Sequence, residues 1–213
     1  MRTGTLNNYV KFSKKWGGVR KCYEGKPEIA TGGFKVDINT MPANPNVLPA
    51  GTPVYYDEQA RTIAIMYTFK VLEVDSANSK VKVEKFETGS VAKVGMKLIV
   101  VGADLTQAAA NVATVSAVDS SNAGYDILTV NATTGITADA VLAEAGSDDK
   151  VKVVPNGLTY CDNVLDPDSA AMDIDPIYFC IRPVLERRMP ALTASIKKAL
   201  IDNGCYFKFS NRK

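Results

Sequence analysis

The chain has 213 residues, 46% hydrophobic and 23% charged, with a net charge of +2. That is enough apolar material for one ordinary domain, or for a compact domain carrying a smaller one, and too much for a disordered polypeptide. Histidine is absent, which excludes Ser-His-Asp, Cys-His and His-metal chemistries.

The net charge conceals an asymmetry. Residues 1–36 carry eight cations (Arg2, Lys11, Lys14, Lys15, Arg20, Lys21, Lys26, Lys35) against Glu24 and Glu28. Aromatic residues are interleaved with them at Tyr9, Phe12, Trp16, Tyr23 and Phe34. Hydrophobic periodicity is weak, and the stretch Asn39-Thr40-Met41-Pro42-Ala43-Asn44-Pro45-Asn46 disfavours a helix or an interior strand. Residues 1–46 therefore read as an extended basic arm and linker. Its candidate partner-binding residues are Lys11, Phe12, Lys14, Lys15, Trp16, Arg20, Lys21 and Tyr23. The mixture suits an acidic protein surface; single-stranded nucleic acid is the rival and a solubilising tail the plain alternative. The opening residues lack the apolar run of a signal peptide, and no stretch reaches the length of a membrane span, so a protein made in the cytoplasm and free of membranes is expected.

From Val47 the pattern turns to strands. Thr52–Asp57 and the β-branched, aromatic run Thr62–Val74 come first. Lys80-Val81-Lys82-Val83-Glu84 then alternates, with valines on one face and charges on the other. A phrase occurs twice, Val71-Leu72-Glu73-Val74-Asp75-Ser76-Ala77-Asn78 and Val115-Ser116-Ala117-Val118-Asp119-Ser120-Ser121-Asn122, 44 residues apart. Asp, Ser and Asn end strands by bonding nearby backbone, so each copy predicts a hairpin, followed by an apolar run and a Thr-Gly pair at Thr88-Gly89 and Thr134-Gly135. Gly95–Gly102 and Tyr125–Val130 are further strands. Two copies are too few for a solenoid and suit two halves of one small barrel or sandwich.

In the last third, Val151–Val154 and Ile177–Ile181 read as strands separated by an acidic loop. A helix follows, with Pro190 in its first turn, Leu192, Ile196 and Leu200 on one face, and Gly204 at its end. Cys205, Phe207 and Phe209 alternate with Tyr206 and Lys208 in a terminal strand with one buried face. The expected fold class is mainly β: a barrel or sandwich body with a small inserted β-subdomain, one C-terminal helix and an extended N-terminal arm.

The chemical candidates are few. Asp162, Asp166, Asp168, Asp173 and Asp175 cluster in one loop, without EF-hand spacing, and read as a solvated or interface loop rather than a metal site. Asp75 and Asp119 read as turn formers. Thr31-Gly32-Gly33-Phe34 lacks the lysine and hydroxyl of a phosphate loop. Cys22, Cys161, Cys180 and Cys205 show neither zinc nor redox spacing and are expected as reduced thiols. No catalytic residue, cofactor or metal ligand is expected. Tyr55, Tyr56 and Tyr125 are the aromatics a glycan- or host-binding module would use.

Three segments carry a family likeness: Val47-Leu48-Pro49-Ala50-Gly51-Thr52-Pro53-Val54; Asn156-Gly157-Leu158-Thr159-Tyr160; and Arg182–Pro190 continuing to Ala199-Leu200-Ile201 and Cys205-Tyr206-Phe207. Together they resemble the head decoration or head fibre proteins of tailed bacteriophages. The resemblance covers 47–75 and 150–210, and implies a body of 47–75 plus 150–213 with 76–149 inserted. It implies a non-enzymatic structural protein on the outer capsid surface of the virion, partnered by the major capsid protein and commonly a trimer. Nucleic-acid binding through the arm, and host-surface or glycan binding, are the alternatives.

Overall fold

A computed structural model describes residues 21–42, 46–85, 90–166 and 172–212. Among them the chain forms sixteen strands and one α-helix. The body is an eight-stranded sheet. Its central path runs β1 (Glu28–Ile29), β15 (Pro176–Leu185), β12 (Gly157–Thr159), β4 (Pro53–Asp57), β5 (Thr62–Ile65), β2 (Phe34–Val36) and β14 (Asp173–Ile174), and β16 (Tyr206–Ser210) pairs in parallel with β15. A two-stranded ribbon, β3 (Asn46–Leu48) with β13 (Asn163–Leu165), lies apart from the sheet.

The duplicated phrase builds a closed six-stranded barrel. Its order is β10 (Tyr125–Val130), β7 (Lys80–Glu84), β6 (Thr68–Asp75), β11 (Val141–Glu144), β8 (Lys97–Val100) and β9 (Ala113–Asp119), returning to β10. Exchanging β6, β7 and β8 for β9, β10 and β11 maps this ring of pairings onto itself. The 44-residue offset places Phe69 and Val71 on Ala113 and Val115, and Leu98 on Leu142, all of them buried. Each hairpin closes as its polar cluster dictates. Asp75 Oδ1 accepts from the Asn78 amide at 3.1 Å, and Asp119 Oδ1 accepts from the Ser121 amide at 3.0 Å.

The run Thr62–Val74 is thus two strands. It leaves the sheet as β5 and enters the barrel as β6 through the buried pair Met66 and Tyr67. The chain returns past Ala145, bridged to Val151. Ionic contacts fasten this seam: Glu144 Oε1 meets Lys152 Nζ at 2.8 Å, Lys152 Nζ donates to the Asn39 carbonyl at 2.9 Å, and Lys97 Nζ meets Asp149 Oδ1 at 2.7 Å. The barrel interior is continuous with a core formed by Phe34, Val54, Ile63 and Ile65. A second core gathers Leu158, Ile177, Cys180, Val184 and Phe207 with Ile196 and Leu200 of the helix α1 (Ala194–Asp202). Each helix residue so buried contributes roughly 1.5–3 kcal/mol. The helix begins at Ala194, later than Pro190 suggests, because Thr193 caps it by accepting from the Ile196 amide at 3.3 Å. Gly204, at φ +89°, follows its C-terminal end.

The fold is mainly β, with one helix near the C-terminus, as the sequence predicts. The duplicated unit forms the closed barrel, one of the two forms its copies suit; it takes in Thr68–Asp75, and the body is an open sheet rather than a barrel or sandwich. The described part of 1–46 also differs from an arm and linker. Glu28–Ile29 and Phe34–Val36 are sheet strands, Phe34 is fully buried, and Asn46 begins a strand whose own side chain accepts from the Val47 amide at 2.8 Å.

Candidate partner-binding surface

Of the eight candidate partner-binding residues, Lys11, Phe12, Lys14, Lys15, Trp16 and Arg20 lie outside the described residues. Lys21 is exposed. Tyr23 is a core residue, 4% exposed, stacked on Tyr160 with ring centroids 5.5 Å apart and bridged to Val184 of β15. Its ring therefore fastens the leading segment to the body and presents no free face to a partner. Cys22 is wholly buried beside it, and its carbonyl accepts from the Leu185 amide.

The acidic loop is engaged locally. Asp162 Oδ1 accepts from the Ala50 amide at 2.9 Å, and Asp175 Oδ1 accepts from the Gly33 amide at 3.1 Å. Asp173 stands opposite Lys35 in the β14–β2 ladder, and Asp168 lies outside the described residues. Among the described residues no three metal-type side chains gather. The Gly32-Gly33 pair makes a turn with both φ angles positive, over which Arg61 Nη2 donates to the Thr31 carbonyl at 2.9 Å and stacks on Phe34 at 4.0 Å. The hydrogen bonds to Asp75 and Asp119 hold both carboxyls below their ordinary range.

Cys161, Cys180 and Cys205 are free thiols. Burial pushes Cys205 up to about 12 and raises Cys161 and Cys180, so all three resist forming the nucleophilic thiolate. Of the tyrosines proposed for glycans, Tyr55 is exposed, Tyr56 packs edge-on against Phe34, and Tyr125 lies under Lys82 Nζ at 4.2 Å. They form no shared shelf. A narrow cleft of about 60 Å³ runs between barrel and body, lined by Leu48, Tyr67, Phe69, Lys85, Asp126 and Pro190 among others. Lys85 and Asp126 form a buried pair there: Lys85 Nζ lies 3.2 Å from Asp126 Oδ1 and donates to the Ser120 carbonyl and hydroxyl, both at 2.8 Å.

One surface the sequence did not disclose stands out. On β15 and β16, Phe179 stacks on Tyr206 with centroids 5.2 Å apart, and Ile181 beside them is 70% exposed. The run Ile177–Ile181 is apolar throughout, which does not say which side is covered; only the alternation of Tyr206 and Lys208 with Cys205, Phe207 and Phe209 hinted at an open face.

The segments that carry the family likeness meet in the body. Thr159 Oγ1 donates to the Pro49 carbonyl at 2.8 Å and accepts from the Thr52 amide at 3.0 Å, and β12 lies between β4 and β15. Gly51, at φ +79°, sits so close under Met189 and Cys22 that a Cβ there would lie 2.7 Å from Met189 Cβ. Comparison with protein-family models, curated proteins and solved structures finds no match to the chain.

Proposed function

We propose that this protein is a non-enzymatic structural component of a virion. It attaches to the outer surface of a tailed-phage capsid, through the major capsid protein, and stabilises or decorates the shell or anchors a head fibre. A trimer is the assembly we favour. The observation that carries the reading is the convergence of the three likeness-bearing segments: far apart in sequence, they interlock through Pro49, Gly51, Thr159 and Met189 into one body, with the duplicated barrel set between β5 and β12. The basic, aromatic leading segment is suited to hold such a body on an acidic shell.

The test is sedimentation of the purified protein with empty capsids of its source virus over a salt series. Pelleting in fixed stoichiometry is expected, weakening as salt screens the charges. Protein that stays in the supernatant with capsids but retards single-stranded DNA at physiological salt would replace this reading with nucleic-acid binding.

A further inference from the structure

Among the described residues, five buried side-chain oxygens lack a hydrogen-bond partner, and four of them, Tyr67 Oη, Thr68 Oγ1, Asp126 Oδ1 and Glu144 Oε2, belong to one mouth of the barrel. The strand register gathers them. Thr68 at the start of β6 pairs with Ala143, so Tyr67 and Glu144 adjoin that pair at the same end; Asp126, near the start of β10, stands opposite Val83 near the end of β7, which runs antiparallel to β6. Folded proteins rarely leave buried polar atoms unmet, so a cluster of them points to a group that binds there.

Tyr67, Thr68 and Asp126 also line the cleft of about 60 Å³ between barrel and body. Tyr67 is 2% and Asp126 4% exposed. Leu48, Pro49, Phe69 and Pro190 supply apolar walls, and the exposed Glu84 is part of the lining that faces outward. Apolar walls with a few convergent polar groups, at the mouth of a barrel, are the form of a small-molecule site. The space holds roughly four to six waters, or about as many non-hydrogen atoms of a ligand.

The unmet groups define the ligand's chemistry. Lys85 Nζ, 3.2 Å from Asp126 Oδ1, balances its charge but donates to the Ser120 carbonyl and hydroxyl and the Asn122 carbonyl, which leaves Oδ1 without a donor. Glu144 is balanced by Lys152. Hydrogen bonding, not charge, is therefore what the mouth lacks. A phosphate or carboxylate has no hydrogen to give Asp126, and an ammonium would set a second cation beside Lys85. A hydroxyl donates to the carboxylate and exchanges hydrogen bonds with the Tyr67 and Thr68 hydroxyls.

We propose that this cleft binds a small neutral polyhydroxylated ligand, either a free polyol or the edge of one sugar residue, with Asp126 accepting from one hydroxyl and Tyr67 and Thr68 bonding its neighbours. The site goes beyond the capsid reading and does not rest on it.

The experiment titrates the full chain with glycerol and with methyl glucoside, with n-propanol as a single-hydroxyl control, and follows amide chemical shifts in the wild type, Tyr67→Phe and Thr68→Val. Each variant deletes an oxygen that has no partner, so neither is expected to melt below the wild type; Thr68→Val serves if Tyr67→Phe perturbs the fold. Saturable shifts are expected around Leu48, Phe69 and Asp126 with either polyol and not with n-propanol, and affinity about two- to tenfold weaker in each variant. Tighter binding of the glucoside identifies a sugar edge as the ligand, and tighter binding of glycerol a free polyol. Shifts that scatter over the surface without saturating would overturn the proposal, as would wild-type affinity retained by both variants. A crystal structure of the polyol-soaked protein with ordered waters only in the cleft would also overturn it, and would leave the capsid reading untouched.

Discussion

A side chain at position 51 has no room. The backbone there is left-handed, and a Cβ would fall 2.7 Å from Met189 Cβ and 2.9 Å from Cys22 Sγ. Gly51→Ala is expected to destabilise the protein by about 2–3 kcal/mol through strain and overpacking. Gly95 has a similar φ but open space around it, so Gly95→Ala should lose only about 1 kcal/mol; equal losses in urea denaturation would contradict the close packing at 51. Lys85→Met strands the buried Asp126 carboxylate and is expected to lose about 3–5 kcal/mol, with much of it recovered in the double variant Lys85→Met/Asp126→Leu. The turn aspartates give a pH signature. Asp75 and Asp119 have carboxyls depressed in the folded state, so their contribution is complete above the unfolded value of about 3.9 and is lost as pH falls through the lower folded values. Melting temperatures of wild type and Asp119→Asn should therefore stay apart at neutral pH and draw together only as pH falls below about 4 through the lowered folded value.

At the scale of elements, the legible parts were those whose signal is local. Val81 and Val83 alternate with charges, and the Asp-Ser-x-Asn clusters name their own turns, so both hairpins and their kinship were visible in the sequence. The two copies pointed to one small barrel or sandwich, but the pairings that close it between strands of different copies, β7–β10, β6–β11, β8–β11 and β8–β9, are announced by no local pattern. The leading strands were illegible for a related reason. Glu28–Ile29 and Phe34–Val36 are two and three residues long, flank a Gly-Gly turn, and acquire strand form through pairing, the first with β15 and the second with β5 and β14. The open face was missed because an all-apolar run carries no sign of which side is covered. Truncation separates these levels. Removing residues 1–20 takes none of the described strands and is expected to leave cooperative unfolding intact. Removing residues 1–40 also takes the fully buried Phe34, whose loss alone is worth about 3–5 kcal/mol. The longer truncation is expected to abolish the cooperative transition seen by circular dichroism; a folded, heat-stable product would contradict the placement of β1 and β2 in the sheet.

At the scale of the whole molecule, the described residues form a sheet body and a barrel that share one core, a second core around the C-terminal helix, and a seam between barrel and body at Glu144–Lys152. In the capsid account the body would meet the shell and the barrel would be the part free to project. Cryo-electron microscopy of empty capsids incubated with the protein tests this most directly. The account predicts added density at regular sites on the outer surface, fitted by the body against the coat and the barrel outward. A shell unchanged by saturating protein would contradict it.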